Sequence, residues 1–122
     1  MNRQCVVGVD VGTGSVRALV VHLDTADVIA FAVHPIQVWQ YSQHHFEQSS
    51  EDIWNAIGSA VKAALMQGEI DPDTVMGISF AATCSLVVLD SSNNPISTSL
   101  SGQHHRNIVG IYHILFQMAE IL

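Results

Sequence analysis

The stretch from Cys5 to Val21 constrains this chain most. Two β-branched segments, Cys5 to Val9 and Val16 to Val21, flank Asp10-Val11-Gly12-Thr13-Gly14-Ser15, and glycines so closely spaced favour a reversal over a continued strand. The pair reads as an antiparallel hairpin. A third β-branched run, Val28 to Val33, follows the polar stretch His22 to Asp27, where Asp24 and Asp27 suit a second turn. Pro35, which has no N–H to donate to a ladder, closes it. Three consecutive antiparallel strands are expected.

From His34 to Ser50 the chain is rich in Gln, His and Ser, and it reads as a long loop anchored by Trp39, Tyr41 and Phe46. A helix is predicted next. Ser49 is placed as N-cap with Asp52 three residues on, and Ile53, Ile57, Ala60, Val61, Ala64 and Leu65 recur at helical spacing before Gly68 stops the run. Val75 to Phe80 and Leu86 to Leu89 are two further strand candidates. With a helix between the third and fourth strands, the fold class is α/β, a mixed sheet with a crossover helix.

Composition sets the limits. At 122 residues, 48% hydrophobic and 12% charged, the chain has the makings of one globular domain. Four Lys and Arg against eleven Asp and Glu, a net charge of −7, leave no basic stripe for a nucleic acid backbone. The longest apolar stretch, Ile108 to Leu122, is interrupted by Gly110, His113, Gln117 and Glu120 and falls short of the roughly 20 residues of a membrane span. Cys5 and Cys84 lie in apolar runs and read as reduced core residues. With no leader-like run ahead of Cys5, a soluble cytoplasmic protein is expected.

The glycine-rich turn fits neither common phosphate loop: no Lys follows Gly14 as a Walker A loop demands, and Arg17 holds the place of a dinucleotide fingerprint's third Gly. Two readings stay open on the residues alone. In one, Gly12 and Gly14 let the backbone approach a ligand, the N–H groups of Thr13, Gly14 and Ser15 face phosphate oxygens, and Asp10 seats a hydrated Mg²⁺. In the other, a plain tight hairpin uses the two glycines for positive φ. Arg17 is open in the same way, between a ligand contact and a structural salt bridge.

Asp10, Gly12, Thr13, Ser15 and Arg17, in the pattern Asp-x-Gly-Thr-x-Ser-x-Arg, resemble the first phosphate motif of the FGGY carbohydrate kinases. His44 to Trp54 resembles that family's loop-to-helix junction, and Ala82 to Asp90 its substrate-side strand pair, closest to the branch acting on ribulose-like pentuloses. The resemblance implies a lobe of the actin and hexokinase type of ATPase, ribonuclease H-like in topology. It also implies ATP with Mg²⁺ as cofactors, and phosphoryl transfer to a sugar hydroxyl. Asp10 would organise the metal, Gly12 to Ser15 and Arg17 the phosphates, and Thr83, Cys84 and Ser85 the sugar side.

The sequence also departs from the family pattern. Ala81 stands where the ribulose-kinase branch carries an Asp, and Gly110, Tyr112 and Ile114 replace the defining residues of its Trp-x-Asp-x-Arg run. The general base and the adenine pocket belong to a second lobe for which 122 residues leave no room. No catalytic residue is therefore assigned, and the chain alone is expected to be inactive. Residues 1–107 are read as a partial kinase lobe and 108–122 as a diverging apolar tail, whose partner would be the second lobe or another copy of the chain.

Two other functions compete: a non-catalytic interaction module of the same fold, and an actin-like ATPase such as a chaperone. The Glu47-Gln48 and Thr83-Cys84-Ser85 segments weigh against the second. His44, His45, Glu47, His104 and His105 lack metal-site spacing and are read as loop histidines and a loop carboxylate. Trp39, Tyr41, Phe46 and Trp54 are read as core anchors rather than sugar platforms.

Overall fold

The computed structural model describes residues 4–43, 45–82, 87–96 and 99–100. Strands β1 (Cys5–Val11), β2 (Ser15–His22) and β3 (Val28–Pro35) form the expected antiparallel meander. Helix α1 (Ser50–Gln67) then returns the chain to β6 (Val75–Ala82), which pairs with β1 in parallel. The sheet order β3-β2-β1-β6 is the mixed sheet with a crossover helix that the sequence implied.

Residues alternate across this sheet as the pleat requires. Cys5, Val7, Val9 and Val11 of β1 and Val16, Ala18 and Val20 of β2 point to one face and are buried there. Ile53, Ala56, Ile57, Ala60 and Ala64 of α1 supply the other half of that core. Three alanines in the helix stripe let its axis come close to β2 and β3, while Ile53 and Ile57 each contribute about 1.5–3 kcal/mol of burial. Cys5 is free and buried, its Sγ 3.7 Å from Thr74 Oγ1.

Both helix ends have local causes. Ser49 is extended at φ −94° and its Oγ accepts the N–H of Asp52 at 3.3 Å, while Glu51 and Asp52 face the positive end of the helix dipole. At the other end Gly68 is not left-handed, and Glu69 takes that role at φ 50°. Gly68 answers to close packing: a Cβ there would stand 2.6 Å from Ile70 Cδ1 and 3.1 Å from Ala30 Cβ.

Two expectations need correction. The segment read as a long loop contains a hairpin, β4 (Val38–Ser42) against β5 (His45–Gln48), with β7 (Ser99–Leu100) beside β5 in a second sheet. Val38, Trp39, Tyr41 and Phe46 carry the strand preference, which the intervening Gln and Ser residues disguised. The second correction concerns the strand read at Leu86 to Leu89. Leu86 lies outside the described residues; Val87 and Val88 are not in a strand, and Leu89 makes only an isolated bridge to Pro95. The Asp90 carboxylate explains the tight reversal: it accepts N–H groups from Ser92 at 2.8 Å and Asn94 at 2.9 Å, with Asn93 left-handed at φ 64°. Those bonds, Asn94 first, hold the Asp90 carboxyl below the usual carboxylate range.

Candidate functional site

The pleat that buries the odd-numbered residues of β1 leaves Gly8 and Asp10 on the opposite face, together with Arg17 and Leu19 of β2 and Phe31 of β3. No described element covers this face. A groove of about 420 Å³ runs along it, lined by these residues with Ser79 and Ala81 of β6. Strand register lines up Arg17, Asp10 and Ala81 side by side across β2, β1 and β6. Arg17 Nη1 donates to Asp10 Oδ2 at 2.6 Å, with the two side chains 47% and 55% exposed. Arg17 is thus a salt-bridge partner of the candidate metal carboxylate, and half of that carboxylate still faces solvent.

At the end of the same hairpin, the turn between β1 and β2 has an ordered set of bonds. Gly12 N–H donates to the Ser15 carbonyl at 2.9 Å, Ile36 N–H to the Gly14 carbonyl at 3.0 Å, and Gln48 Nε2 to the Thr13 carbonyl at 2.5 Å. Three successive carbonyls are therefore held by the protein. The N–H groups of Thr13 and Gly14 donate to no described residue, and both residues are exposed. The turn thus carries two backbone N–H groups without a described acceptor on an exposed surface, with the half-exposed Asp10 carboxylate two residues before Gly12.

Neither glycine has positive φ, so the plain-hairpin reading that would have used them for it does not describe this turn. Gly12 answers to close approach: a Cβ there would meet Ser15 O and Arg17 Nη1, each at 3.2 Å. Around Gly14 no atom of the described residues lies within 4 Å of a built Cβ, so none of them demands glycine at that position.

Asp10, Gly12, Thr13, Gly14, Ser15 and Arg17 are brought together as one hairpin tip. Thr83, Cys84 and Ser85 lie outside the described residues, as do Cys84's expected core position, His44, His104, His105 and the tail 108–122. Strand β6 ends beside the start of the turn, since Ala82 is the register partner of Val11. Trp54 packs against the core as expected, whereas Trp39 and Tyr41 stand on the surface, 37% and 64% exposed. Among the described residues no helix is long and apolar enough to cross a membrane.

Sequence reasoning did not single out Gln48, Ile36 or Asp52 as supports of the turn. Asp52 Oδ2 accepts Gln37 N–H at 2.7 Å, which ties the start of α1 to the segment that holds Gly14. A solitary buried Gln in a polar stretch leaves no periodic signal; its bond to a residue 35 positions away is visible only in the fold.

Comparison with solved structures places this arrangement in a class. A xylulose kinase from Rhodospirillum rubrum superposes with a TM-score of 0.73 at 20% identity, over 96% of this chain and 23% of that one. A gluconate kinase from Lactobacillus acidophilus does so with a TM-score of 0.70 at 21% identity, over 80% of this chain and 19% of that one. The fold is that of the sugar kinases within the actin and hexokinase type of ATPase, and this chain forms part of one lobe of it. Residues 5–118 match the N-terminal domain of the FGGY family of carbohydrate kinases, and the chain belongs to that family.

A human FGGY carbohydrate kinase domain-containing protein is 48% identical over 103 residues, and a D-ribulokinase of Saccharomyces cerevisiae 44% identical over 87. These matches cover 84% and 71% of this chain but only 18% and 12% of the relatives, so the chain spans less than a fifth of their length. The family match sets aside an actin-like ATPase outside the sugar kinases.

Proposed function

We propose that this chain supplies the phosphate-facing hairpin of an ATP-dependent kinase acting on a pentulose of the ribulose type. The observation that supports it is the turn itself: its carbonyls are bonded inward, the amides of Thr13 and Gly14 are left without a partner among the described residues, and Asp10 stands beside them half exposed. This donor set fits a nucleotide polyphosphate with its divalent cation. Backbone amides neutralise phosphate oxygens without adding net charge, and a carboxylate holds Mg²⁺ through its water shell. Bound there, MgATP would supply the phosphoryl group.

The chain's own residues have three tasks in this reading. The Thr13 and Gly14 amides orient the phosphates, Arg17 fixes the direction of the Asp10 carboxylate, and Thr83, Cys84 and Ser85 form the sugar side. Such catalysis is chiefly positioning and charge neutralisation. The base that takes the hydroxyl proton is not among the residues assigned, and activity is proposed to require a further lobe; residues 1–107 are the kinase part in this reading and 108–122 the segment that meets it. A cytoplasmic location follows from the same proposal.

The pentulose reading rests on the likeness to the yeast D-ribulokinase. Ala81 bears on it directly, because this position lies beside Asp10 on the open face, and an Asp there would face sugar hydroxyls. The test is a chimaera in which this chain, with Ala81→Asp and with Gly110→Trp, Tyr112→Asp and Ile114→Arg to restore the family's run, replaces the matching segment of the yeast D-ribulokinase. ATP-dependent phosphorylation of D-ribulose is expected. A folded chimaera without turnover on D-ribulose refutes the proposal, and turnover on gluconate instead would transfer it to another sugar class.

A further inference from the structure

Gln48 is the only polar side chain in the buried set among the described residues, at 1% exposure. An amide is costly to bury, and a Leu or Met would fill the same volume without that cost. Its position therefore calls for a reason, and the bond from Nε2 to the Thr13 carbonyl at 2.5 Å supplies one. In a trans peptide the carbonyl of one residue and the N–H of the next point in opposite directions. Holding the Thr13 carbonyl inward thus aims the Gly14 N–H outward. The same peptide unit, preceding a glycine, is the one best able to flip, because Gly14 accepts either sign of φ.

We propose that Gln48 is a positioning residue for the phosphate turn: by pinning the Thr13 carbonyl it selects, of the two orientations open to the Thr13-Gly14 peptide, the one that presents the Gly14 N–H to a phosphate oxygen. The inference rests on the anion-facing reading of the turn and adds the device that sets its geometry. Gln48 sits on β5, in the second sheet, so the orientation of the turn is controlled from outside the hairpin that carries it. Ile36, whose N–H holds the Gly14 carbonyl, acts on the next peptide in the same sense.

The test uses the 122-residue chain, its Gln48→Met and Gln48→Glu variants, and Ile57→Val as a mild core change away from the turn. Gln48→Met keeps the length and loses the donor; Gln48→Glu keeps the shape and, read at a pH high enough to ionise a buried carboxyl, cannot donate to a carbonyl. Two quantities are read by amide-resolved NMR: the Gly14 resonance without ligand, and the dissociation constant for MgATP. In both Gln48 variants the Gly14 amide is expected to move and MgATP to bind at least fivefold more weakly, while Ile57→Val changes neither.

An unmoved Gly14 amide in Gln48→Met, unchanged MgATP affinity, or an equal loss in Ile57→Val overturns the proposal. If Gln48→Met does not fold, Gln48→Glu decides by the same readings, and failure of both to fold marks Gln48 as a packing residue and overturns it as well. Failure of the parent chain to bind MgATP at the turn refutes the phosphate reading instead, and the ligand-free Gly14 shift then decides the pinning alone.

Discussion

Alanine at the two turn glycines should separate what the fold needs from what the ligand needs. Gly12 has ordinary φ, yet its Cβ would stand 3.2 Å from the Ser15 carbonyl oxygen, which Gly12 itself holds at 2.9 Å. Backbone on that side must give way by a few tenths of an ångström, and Gly12→Ala is expected to cost about 1 kcal/mol, the low end of overpacking penalties. Gly14→Ala meets no described atom within 4 Å, at a residue that also has ordinary φ. Its main effect on folding is on the unfolded chain, whose reduced freedom should raise stability by about 0.4–1 kcal/mol. The same unfolded-state gain offsets much of the Gly12→Ala cost, so in urea unfolding Gly14→Ala should lie above the parent chain and Gly12→Ala clearly below Gly14→Ala.

Ligand binding should not follow that order. If the turn cradles phosphate, the methyl group of Gly14→Ala enters the space a phosphate oxygen needs, and one charge-assisted hydrogen bond is worth about 1.5–3 kcal/mol. That converts to roughly a tenfold to hundredfold rise in the MgATP dissociation constant. A Gly14→Ala protein that is more stable yet binds MgATP poorly is the expected outcome. If it binds like the parent chain, the turn does not cradle phosphate; if it is destabilised as much as Gly12→Ala, the glycine serves the fold.

Four further outcomes follow from the structure. Arg17→Ala should lower stability by less than about 1 kcal/mol in urea unfolding, and by less still in high salt, because the Asp10–Arg17 pair is about half exposed. Ser49→Ala removes the N-cap of α1 and should cost about 1 kcal/mol by the same measurement. Ile57→Ala, at 3% exposure in the centre of the core, should cost about 2–5 kcal/mol and lower the urea midpoint well below that of Ser49→Ala. Asp90 should titrate below its ordinary 3.8 when followed by carboxyl NMR. Because the folded pKa is the depressed one, the loop's contribution is present above the ordinary value and is lost as pH falls through the lowered one, so the Ser92 and Asn94 amides should shift with the carboxyl.

How much of the fold and site was legible in the sequence depended on whether the signal was local. The meander, α1 and the parallel β6 follow from β-branched runs, a capped helical stripe and a crossover, and each is written in contiguous residues. The β4–β5 hairpin was not legible, because its strand formers alternate with Gln and Ser and its partner β7 lies about fifty residues on. Leu86 to Leu89 looked like a strand by composition, yet the carboxylate bonds of Asp90 turn the chain at once. At the site, the spacing of Asp10 and the glycines left two readings open, and it was the family resemblance that favoured the phosphate one. The Asp10–Arg17 bond was one of two open readings, and register decided that these side chains stand together on the open face. Gln48 escaped because its role depends on a contact across 35 residues.

The most direct test follows every backbone amide of the 122-residue chain while MgATP is added. A phosphate-cradling turn requires that the Thr13 and Gly14 amides shift first and furthest, that Asp10 and Arg17 respond with them, and that the response weakens when Mg²⁺ is withheld. Saturable shifts centred elsewhere, with Thr13 and Gly14 unmoved, would contradict it.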